Sequence, residues 1–596
     1  MSPRDEPHEH AGLGYPGPRT IAEDSDANDN IYATIARARR AISQTSPWRL
    51  LCLALDFVKP EILQPSRRRQ HGGSSSRGDR ASTAWLDGLR GWAAFSVCLA
   101  HMSVYTHPRI ELCYGALIAP SPDSGHPSLR NATPAAVPGL RLFWSGGHFA
   151  VMIFFVISGY VLTKRPITLL SQLPPPLPLP LPPHQRQPQQ PFVDALHSAM
   201  FRRPLRLLLP VALSTLFFAT SWHVLDIATP WPERQASLGA ELWSWARDLL
   251  KFGFFFRNRV LYTYYNIHTW TIPVELRGSC SVLVWLFLWG SPPSVSSSSS
   301  GGSGVLTWRR VVATAAMTIY LAVGAAGAWY AAFFAGMLTA EIDVLAAAAA
   351  SNAAADGKLV YNQNPHPRLP WDGLLDFLRR RPRMRSVLLH VMLAAGLYLG
   401  SEPSSDVLKT EELLGKCRGW KTLGRLIPAP YTASDEPESV QRWFWLFWAA
   451  WLLFVSVKEL NWARSLFETR FSQYLGHHSF ALYLIHGPLI GLVSERLFYL
   501  TGVKRGPLSD AEAAQFGHLM NRWRDDPRWW PFPRHPTPSA VDVLQPYWYG
   551  LEPEFLVCVA LSLPVFLYAA ELGTRLFDEP GVRVSRWAYR KLVKKS

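Results

Sequence analysis

The chain has 596 residues, of which 48% are hydrophobic and only 17% are charged, and its formal net charge is +16. Soluble domains carry about 25% charged residues, so the composition excludes a single water-soluble globule and, by its apolar content, a wholly disordered chain. The basic residues lie between apolar runs and form no nucleic-acid-binding module, so we predict no nucleic-acid partner.

Residues 1–80 are predicted to be a disordered, basic N-terminal region, and they contain no signal-peptide pattern. Within them, the apolar segment 47–58 is too short to cross a bilayer of about 30 Å, so a short helix lying in the interface is predicted. Two loop insertions follow, a Pro-rich one at 174–184 and a Ser/Gly-rich one at 291–304. Residues 591–596 form a basic tail.

Residues 81–590 are predicted to form an all-α, polytopic membrane helix bundle with about ten transmembrane helices. The Ala- and Gly-rich fifth and sixth segments have two alternatives, a single hairpin or partly interfacial helices. The predicted spans lie near 86–105, 147–163, 204–222, 270–289, 311–327, 329–345, 385–400, 443–459, 476–498 and 554–576.

The distribution of Lys and Arg predicts the orientation of the bundle. Basic residues cluster at 67–80, 202–206, 379–385 and 583–595, which all fall on one side of a ten-span topology. Because cytoplasmic loops carry an excess of Lys and Arg, we expect both termini to be cytoplasmic. The chain is thus predicted to be an integral, multi-pass protein of an endomembrane or the plasma membrane, with the lipid bilayer as a partner.

Three features fall in the predicted outer loops. Asn131-Ala132-Thr133 is an N-glycosylation acceptor pattern in the first outer loop. Cys113 and Cys417 both lie in outer loops, where they either form a disulfide or remain as thiols. The six cysteines contain no CxxC pair, so a zinc or redox motif is not predicted.

Ionisable residues inside predicted spans indicate function, because they are costly to bury in a membrane. Arg90 and His101 are 11 residues apart, which puts them about 20° apart around a helix and about 16 Å apart along it. This arrangement suits a substrate with an anionic head near the cytoplasm and a reactive end deeper in the bundle. The alternative is that Arg90 extends to the interface and His101 is a hydrogen-bonded bundle histidine.

Three further sites carry polar residues that require an explanation. Glu275 lies near the start of the fourth span, where it either contributes to catalysis or forms a structural ion pair with an arginine. His486 lies in the ninth span, with a hydrogen-bonded core histidine as the alternative. At the entry to the third span, an arginine cluster either anchors the helix or recognises phosphate. Its members are Arg202, Arg203 and Arg206.

Several segments together resemble the membrane-bound acyltransferase family 3, which includes bacterial O-antigen and exopolysaccharide acetylases and many fungal proteins. The long insertions look more like those of the fungal members. The resemblance covers roughly 80–590, and its most specific element is an Arg, ten residues, then a His in the first helix. The matching segments are LDGLRGWAAFSVCLAH (86–101), FFVISGYVL (154–162), FRRPLRLLLP (201–210), HTWTIPVEL (268–276) and LGHHSFALYLIH (475–486).

The resemblance implies a ten-helix membrane enzyme that uses cytoplasmic acyl-CoA as co-substrate, without a bound cofactor. It implies His101 as the essential acid/base group and Arg90 as a helper near the donor. Met152 departs from the pattern, since many bacterial members carry an acidic residue there, and His148 is the candidate to replace it. The other residues that match family motifs or adjoin them are Glu275, Ser158, Tyr160 and Trp270.

We therefore expect transfer of an acyl group, with acetyl favoured, to a hydroxyl of a carbohydrate, lipid or secondary metabolite. His101 takes the proton of the acceptor hydroxyl, and Glu275 or His486 orients either His101 or the acceptor. Arg90 engages the donor, and the arginine cluster holds CoA phosphates. No H-E-x-x-H pattern is present, so no catalytic metal is predicted. The alternatives are a multi-span transporter, which should show inverted repeats, and a catalytically silent membrane scaffold.

Overall fold

A computed structural model describes the chain over 77–118, 129–171, 190–225, 234–256, 261–290, 308–356, 381–403, 417, 419–432, 441–501 and 550–593, with a few isolated positions besides. The predicted interfacial helix at 47–58 and the insertions at 174–184 and 291–304 lie outside the described residues. Within these ranges the regular secondary structure is helical, apart from one antiparallel pair of two-residue strands and an isolated bridge between Thr263 and Asn266.

The elements follow one another as a series of long helices joined by short ones. The α-helices are α1 (Arg77–Thr106), α2 (Arg141–Ser145), α3 (Gly147–Ser171), α4 (Gln190–Val224), α5 (Leu238–Gly253), α6 (Thr271–Gly290), α7 (Trp308–Ile319), α8 (Ala328–Asp356), α9 (Pro382–Gly400), α10 (Trp420–Arg425), α11 (Arg442–Glu459), α12 (Asn461–Phe467), α13 (Arg470–Leu489), α14 (Glu495–Leu500), α15 (Pro553–Gly573) and α16 (Glu579–Leu592). The strands are β1 (Leu117–Ile118) and β2 (Leu129–Arg130). Short 3-10 helices include Ile267–Trp270, which leads into α6, and π-helical turns include Ile490–Ser494, which follows α13.

A helix lies at each of the ten predicted spans, but the count of ten membrane crossings is not confirmed. In the described part of the chain, five helices are long and apolar enough to cross a membrane, or six if the pair α11 and α12, bent by 101°, counts as one span. Polar side chains lower the mean hydropathy of α1, α9 and α13, and α7 is too short because it has only 12 residues. The five are Gly147–Ser171, Pro191–Val224, Ile267–Gly290, Ala328–Ala347 and Pro553–Leu592.

The core of the bundle is built from α1, α3, α8, α11 and α13, whose buried side chains belong to one continuous cluster. Close approach of α1 and α13 depends on glycine. A Cβ atom added at Gly91 would collide with the backbone of Gly476, and one added at Gly476 would collide with the backbone of Asp87. Small residues permit such contact between membrane helices, and here the contact brings Arg90 and His101 against α13.

A disulfide joins Cys113 and Cys417, which are 304 residues apart in sequence and have a Cα–Cα distance of 5.8 Å. The sequence left open whether these two cysteines pair. The bond places the segment after α1 next to the segment before α10. The two predicted outer loops that carry these cysteines therefore lie at the same end of the bundle.

The N-glycosylation acceptor pattern at Asn131 is buried in the folded protein. Asn131 is 2% exposed. Its Nδ2 donates hydrogen bonds to the carbonyl oxygens of Leu112 (3.1 Å) and Cys113 (3.2 Å). The side-chain amide therefore holds the disulfide-bearing segment in place, and a glycan on that nitrogen would replace one of its two N–H donors in a buried position.

We expect no glycan on Asn131 when the protein is expressed in a eukaryotic host. Peptide mass spectrometry of the native protein should return an unmodified Asn131 peptide, and treatment with an N-glycosidase should leave its gel mobility unchanged. A secreted glycoprotein from the same host serves as the positive control. A glycan found on most copies of Asn131 would contradict the buried arrangement of this loop.

Candidate active site

The two histidines predicted inside the bundle contact each other. His101 lies on α1 and His486 on α13, with 3.1 Å between His101 Nδ1 and His486 Nε2. The centroids of the two rings are 5.0 Å apart. His486 is buried, whereas His101 is partly exposed. The structure thus brings together His101 and His486, which are 385 residues apart in sequence and which the sequence analysis singled out separately.

The backbone sets the hydrogen-bonding state of His486. Its Nδ1 is 2.7 Å from the carbonyl oxygen of Tyr483, and because a carbonyl only accepts, Nδ1 must carry the proton. In the neutral ring, Nε2 is then the acceptor, so His101 Nδ1 donates to it. The same reasoning leaves the lone pair of a neutral His101 on Nε2, which is the form a general base requires.

A third histidine that the sequence analysis did not single out, His268, belongs to the same cluster. Its ring centroid is 4.1 Å from that of His101 and 4.7 Å from that of His486. His268 lies in the 3-10 helix before α6, and Asn266 caps this helix by accepting from His268 N at 3.2 Å. It was part of the family-like segment at 268–276. However, it precedes the predicted span, so a search for ionisable residues inside spans did not find it.

The cluster formed by His101, His268 and His486, here called the histidine cluster, has a geometry that could hold a metal ion. One nitrogen from each ring lies within 4.8 Å of the other two. Neutral imidazole is a common ligand of transition metals. The prediction that no catalytic metal takes part remains untested.

Arg90 lies against α13 near the close contact of the two helices. Its Nε donates to Ser479 Oγ and its Nη2 to the carbonyl oxygen of Gly476, both at 3.0 Å. Asp87, one turn earlier, is 3.3 Å from the same guanidinium. Arg90 is therefore held in place by α1 and α13, and Ser479 is a partner that the sequence analysis did not name.

Glu275 takes the ion pair that the sequence offered as its alternative role. Arg203 Nη2 and Ser158 Oγ both donate to Glu275 Oε1, and Arg203 Nε donates to Ser279 Oγ. The group links α3, α4 and α6. Among the described residues, His101 is hydrogen-bonded to His486 and not to Glu275.

The remaining members of the predicted phosphate cluster, Arg202 and Arg206, both lie within electrostatic range of Arg586 on α16. Arg206, an exposed residue, is within electrostatic range of Arg90, Arg203 and Arg586, and of the acidic Asp578. The Arg202 guanidinium lies 5.8 Å from the ring centroid of Tyr589 on α16, and Arg202 Nε donates to Ser198 O. Positive charge from α1, α4 and α16 therefore converges on one region.

Tyr160 belongs to an ion network apart from the histidine cluster. Its hydroxyl donates to Asp343 Oδ2 at 2.8 Å and accepts from Lys164 at the same distance. Lys458 is 2.5 Å from the other oxygen of Asp343. This network joins α3, α8 and α11.

His148 is not a member of the histidine cluster. Its Nε2 is 3.3 Å from Arg442 Nη1, and its ring lies edge-on to Trp443 with centroids 5.3 Å apart. Nearby, burial raises the pKa of Glu402 well above its usual range, although the positive charges of Arg442 and Arg141 oppose the shift. His148 therefore lies among charged residues, apart from the histidine cluster.

Trp270 lies shortly after His268 in the chain and packs against other tryptophan rings. Its ring centroid is 5.4 Å from that of Trp329 and 6.0 Å from that of Trp443. Trp329 and Trp443 are buried, whereas Trp270 is partly exposed. Only Thr269 separates Trp270 from His268, and both residues belong to the 3-10 helix Ile267–Trp270.

Comparison with known proteins supports the family suggested by the sequence. The model of the acyltransferase 3 family, described as an acyltransferase domain, matches residues 83–510. This range begins within α1, extends past α14 and includes all three residues of the histidine cluster.

The similar curated proteins come from three fungi. The O-acetyltransferase PaAT-1 of Phomopsis amygdali is 24% identical over 91% of this chain and 89% of its own length. The acyltransferase R4 of Phoma sp. (strain ATCC 20986 / MF5453) is 26% identical over 69% of this chain and 83% of its own. The acyltransferase clz18 of Cochliobolus lunatus is 26% identical over 68% and 82%. No solved structure matches significantly.

Proposed function

Because the chain belongs to the acyltransferase 3 family, we propose that it moves an acyl group, acetyl in the favoured case, from acyl-CoA to a hydroxyl. The family and the relatives make the protein an enzyme that transfers acyl groups. The choice of acetyl is supported by the name of the relative that covers most of the chain, an O-acetyltransferase. The acceptor class is a carbohydrate, a lipid or a secondary metabolite.

The observation that carries the mechanism is the hydrogen-bonded pair of His101 and His486. In this proposal, Tyr483 O fixes the proton of His486 on Nδ1, His486 Nε2 accepts from His101 Nδ1, and His101 Nε2 is the base. His486 has the positioning role that the acid has in a Ser-His-Asp triad, because it holds the imidazole in one tautomer and accepts from it.

The reaction needs one proton relay. His101 Nε2 takes the proton of the acceptor hydroxyl while the oxygen attacks the thioester carbonyl carbon, which forms the ester bond as the C–S bond breaks. The imidazolium then returns the proton to the departing thiolate, so the products are the ester and free CoA. The hydrogen bond to His486 stabilises the imidazolium in between. A thioester is already activated, so the histidine pair suffices for this step.

The converging arginines are proposed to bind the phosphates of CoA. Arg206 is exposed and lies near Arg90 and Arg586, so it is placed to receive an anion. Arg203 is neutralised by Glu275 and contributes less. Guanidinium groups bind phosphate through paired, charge-assisted hydrogen bonds. Trp270 provides an apolar surface near His268 for the acceptor or the acyl chain.

A transporter or a silent scaffold would use similar buried charges. The family match and the relatives favour the enzyme over both. A carrier would move solute across proteoliposomes without consuming acetyl-CoA, and a scaffold would do neither.

We expect the purified full-length protein to release CoA from labelled acetyl-CoA in the presence of a lipid and metabolite extract from a strain that lacks its gene. A labelled product should form at the same rate. Arg206→Gln should raise the KM for acetyl-CoA about tenfold, equivalent to about 1.4 kcal/mol of binding. Arg583→Gln is the matched control, because that exposed arginine lies on α16 in a solvent-exposed pair with Glu579.

Solute flux without CoA release would contradict the proposal. So would an unchanged KM in Arg206→Gln, which would remove the arginine cluster from the donor site.

A further inference from the structure

The histidine cluster has features that a proton relay does not need. Two histidines complete the relay, yet a third ring, that of His268, lies 4.1 Å from His101. One nitrogen from each of the three rings lies within 4.8 Å of the other two. Each ring comes from a different element, α1, the 3-10 helix before α6, and α13, so the cluster forms only when the bundle folds.

Two of the three rings are positioned by their surroundings. His486 Nδ1 is bound to Tyr483 O, which directs the Nε2 lone pair toward the other rings. The backbone of His268 is held at both ends, since Asn266 Oδ1 accepts from His268 N and the Tyr483 hydroxyl donates to His268 O. The His268 ring also packs on Gly487, where an added Cβ would overlap it. The ring hydrogen bond of His486 is of the kind that commonly fixes metal-binding histidines.

We propose that His101, His268 and His486 bind one divalent transition-metal ion of the zinc type, and that this ion switches off acyl transfer. Metal–nitrogen bonds of about 2.0–2.1 Å in a tetrahedron separate ligand atoms by about 3.3 Å. The observed 3.1 Å between His101 Nδ1 and His486 Nε2 is close to that separation. Three imidazoles and no carboxylate favour zinc, cobalt or copper over magnesium or calcium.

Inhibition follows from the tautomer of His101, and this part of the inference rests on the proposed function. A metal ion bound to His101 Nδ1 displaces the proton from that nitrogen, and the neutral ring then carries its proton on Nε2. The lone pair that accepts the hydroxyl proton is therefore lost. His101 and His268 are partly exposed, which gives the ion a route to the cluster.

The test measures metal binding separately from catalysis. Full-length protein, purified through a tag without histidines and treated with chelator, is titrated with Zn²⁺ and analysed for bound metal. Co²⁺ is used as the spectroscopic probe of coordination. We expect one equivalent of metal and the visible bands of four-coordinate cobalt. His268→Phe, which keeps a flat ring over Gly487, should weaken binding roughly 100-fold. His390→Phe, at an exposed histidine on α9, is the matched control.

A second measurement uses the wild-type protein alone, in case the variant does not fold. Bound Zn²⁺ should protect His101 and His268 from acylation by diethyl pyrocarbonate, as mapped by peptide mass spectrometry. Binding of no stoichiometric metal, or binding unchanged in folded His268→Phe, would overturn the site.

Activity then separates this inference from the proposed function. We expect the chelated enzyme to be active, and Zn²⁺ to inhibit the wild type at concentrations about 100-fold lower than those that inhibit His268→Phe. Transfer that is lost on chelation and restored by zinc would overturn the inhibitory role. A protein that binds one ion and transfers no acyl group in either state would overturn the proposed function and leave the metal site intact.

Discussion

Replacing His101 with alanine is expected to reduce acyl transfer about 1,000-fold without reducing expression. A positioned general base contributes 10²–10⁴-fold to such reactions, and His101 Nε2 is the proposed base. The measurement is the rate of CoA release by purified, folded protein at saturating acetyl-CoA. His390→Ala is the control, because that exposed histidine contacts Ser386 and Trp462 and lies outside the histidine cluster. Retention of wild-type turnover by His101→Ala would exclude this residue as the base.

The partner of His101 provides a sharper version of the same test. His486→Phe keeps a ring of similar shape but cannot accept from His101 Nδ1, so kcat should fall about 100-fold while the KM for acetyl-CoA stays the same. The double variant should be no slower than His101→Ala, because residues that act as a unit are not additive. An additive loss in the double variant would show that His486 acts independently of His101.

Helix periodicity correctly predicted that Arg90 and His101 share one face of the first helix. Arg90 and His101 were expected on one stripe of the first helix, and both face α13, where they contact Ser479 and His486. The family-like segments contained every member of the histidine cluster. The sequence could not reveal that these segments meet, because the contact depends on the close approach of Gly91 and Gly476.

His268 and Tyr160 show what the sequence alone could not establish about the site. His268 was overlooked because it precedes its span, and only its packing on Gly487 brings it to the cluster. Tyr160 was selected on its motif alone, whereas its hydroxyl pairs with Asp343, a residue 183 positions away that no local pattern connects to it. A motif identifies the residue types of a site, and the tertiary contacts decide which of them act together.

The helical fold was easier to predict than its relation to the membrane. A helix lies at each predicted span because long apolar runs leave few alternatives. The number of crossings is a separate question, since α1 and α13 carry the polar residues of the candidate site and do not have the apolar character of α3 or α15. The polar residues of the candidate site therefore lower the mean hydropathy of α1 and α13, which makes these two helices harder to identify as membrane spans.

Replacing Glu275 is expected to have the second large effect, a loss of stability. Its side chain and that of Arg203 are 13% and 20% exposed, and the pair joins α4 to α6 and, through Ser158, to α3. Removal of one partner leaves a buried charge without compensation, which costs about 3–5 kcal/mol. We therefore expect Glu275→Ala to lower the free energy of unfolding by about that amount in denaturant titrations of the solubilised protein.

The double variant Arg203→Met/Glu275→Leu should recover most of the lost stability, because apolar residues of similar volume often replace a buried ion pair at little cost. Glu468→Gln is the matched control. It breaks the Arg464–Glu468 pair, which is about one-third exposed at both residues, and should change stability by no more than about 1 kcal/mol. If the double variant is as unstable as the sum of the two single variants, the carboxylate matters through Ser158 and not through Arg203. If Glu275→Ala is as stable as the wild type yet inactive, Glu275 acts on the substrate, and the catalytic role that the sequence offered for it is the correct one.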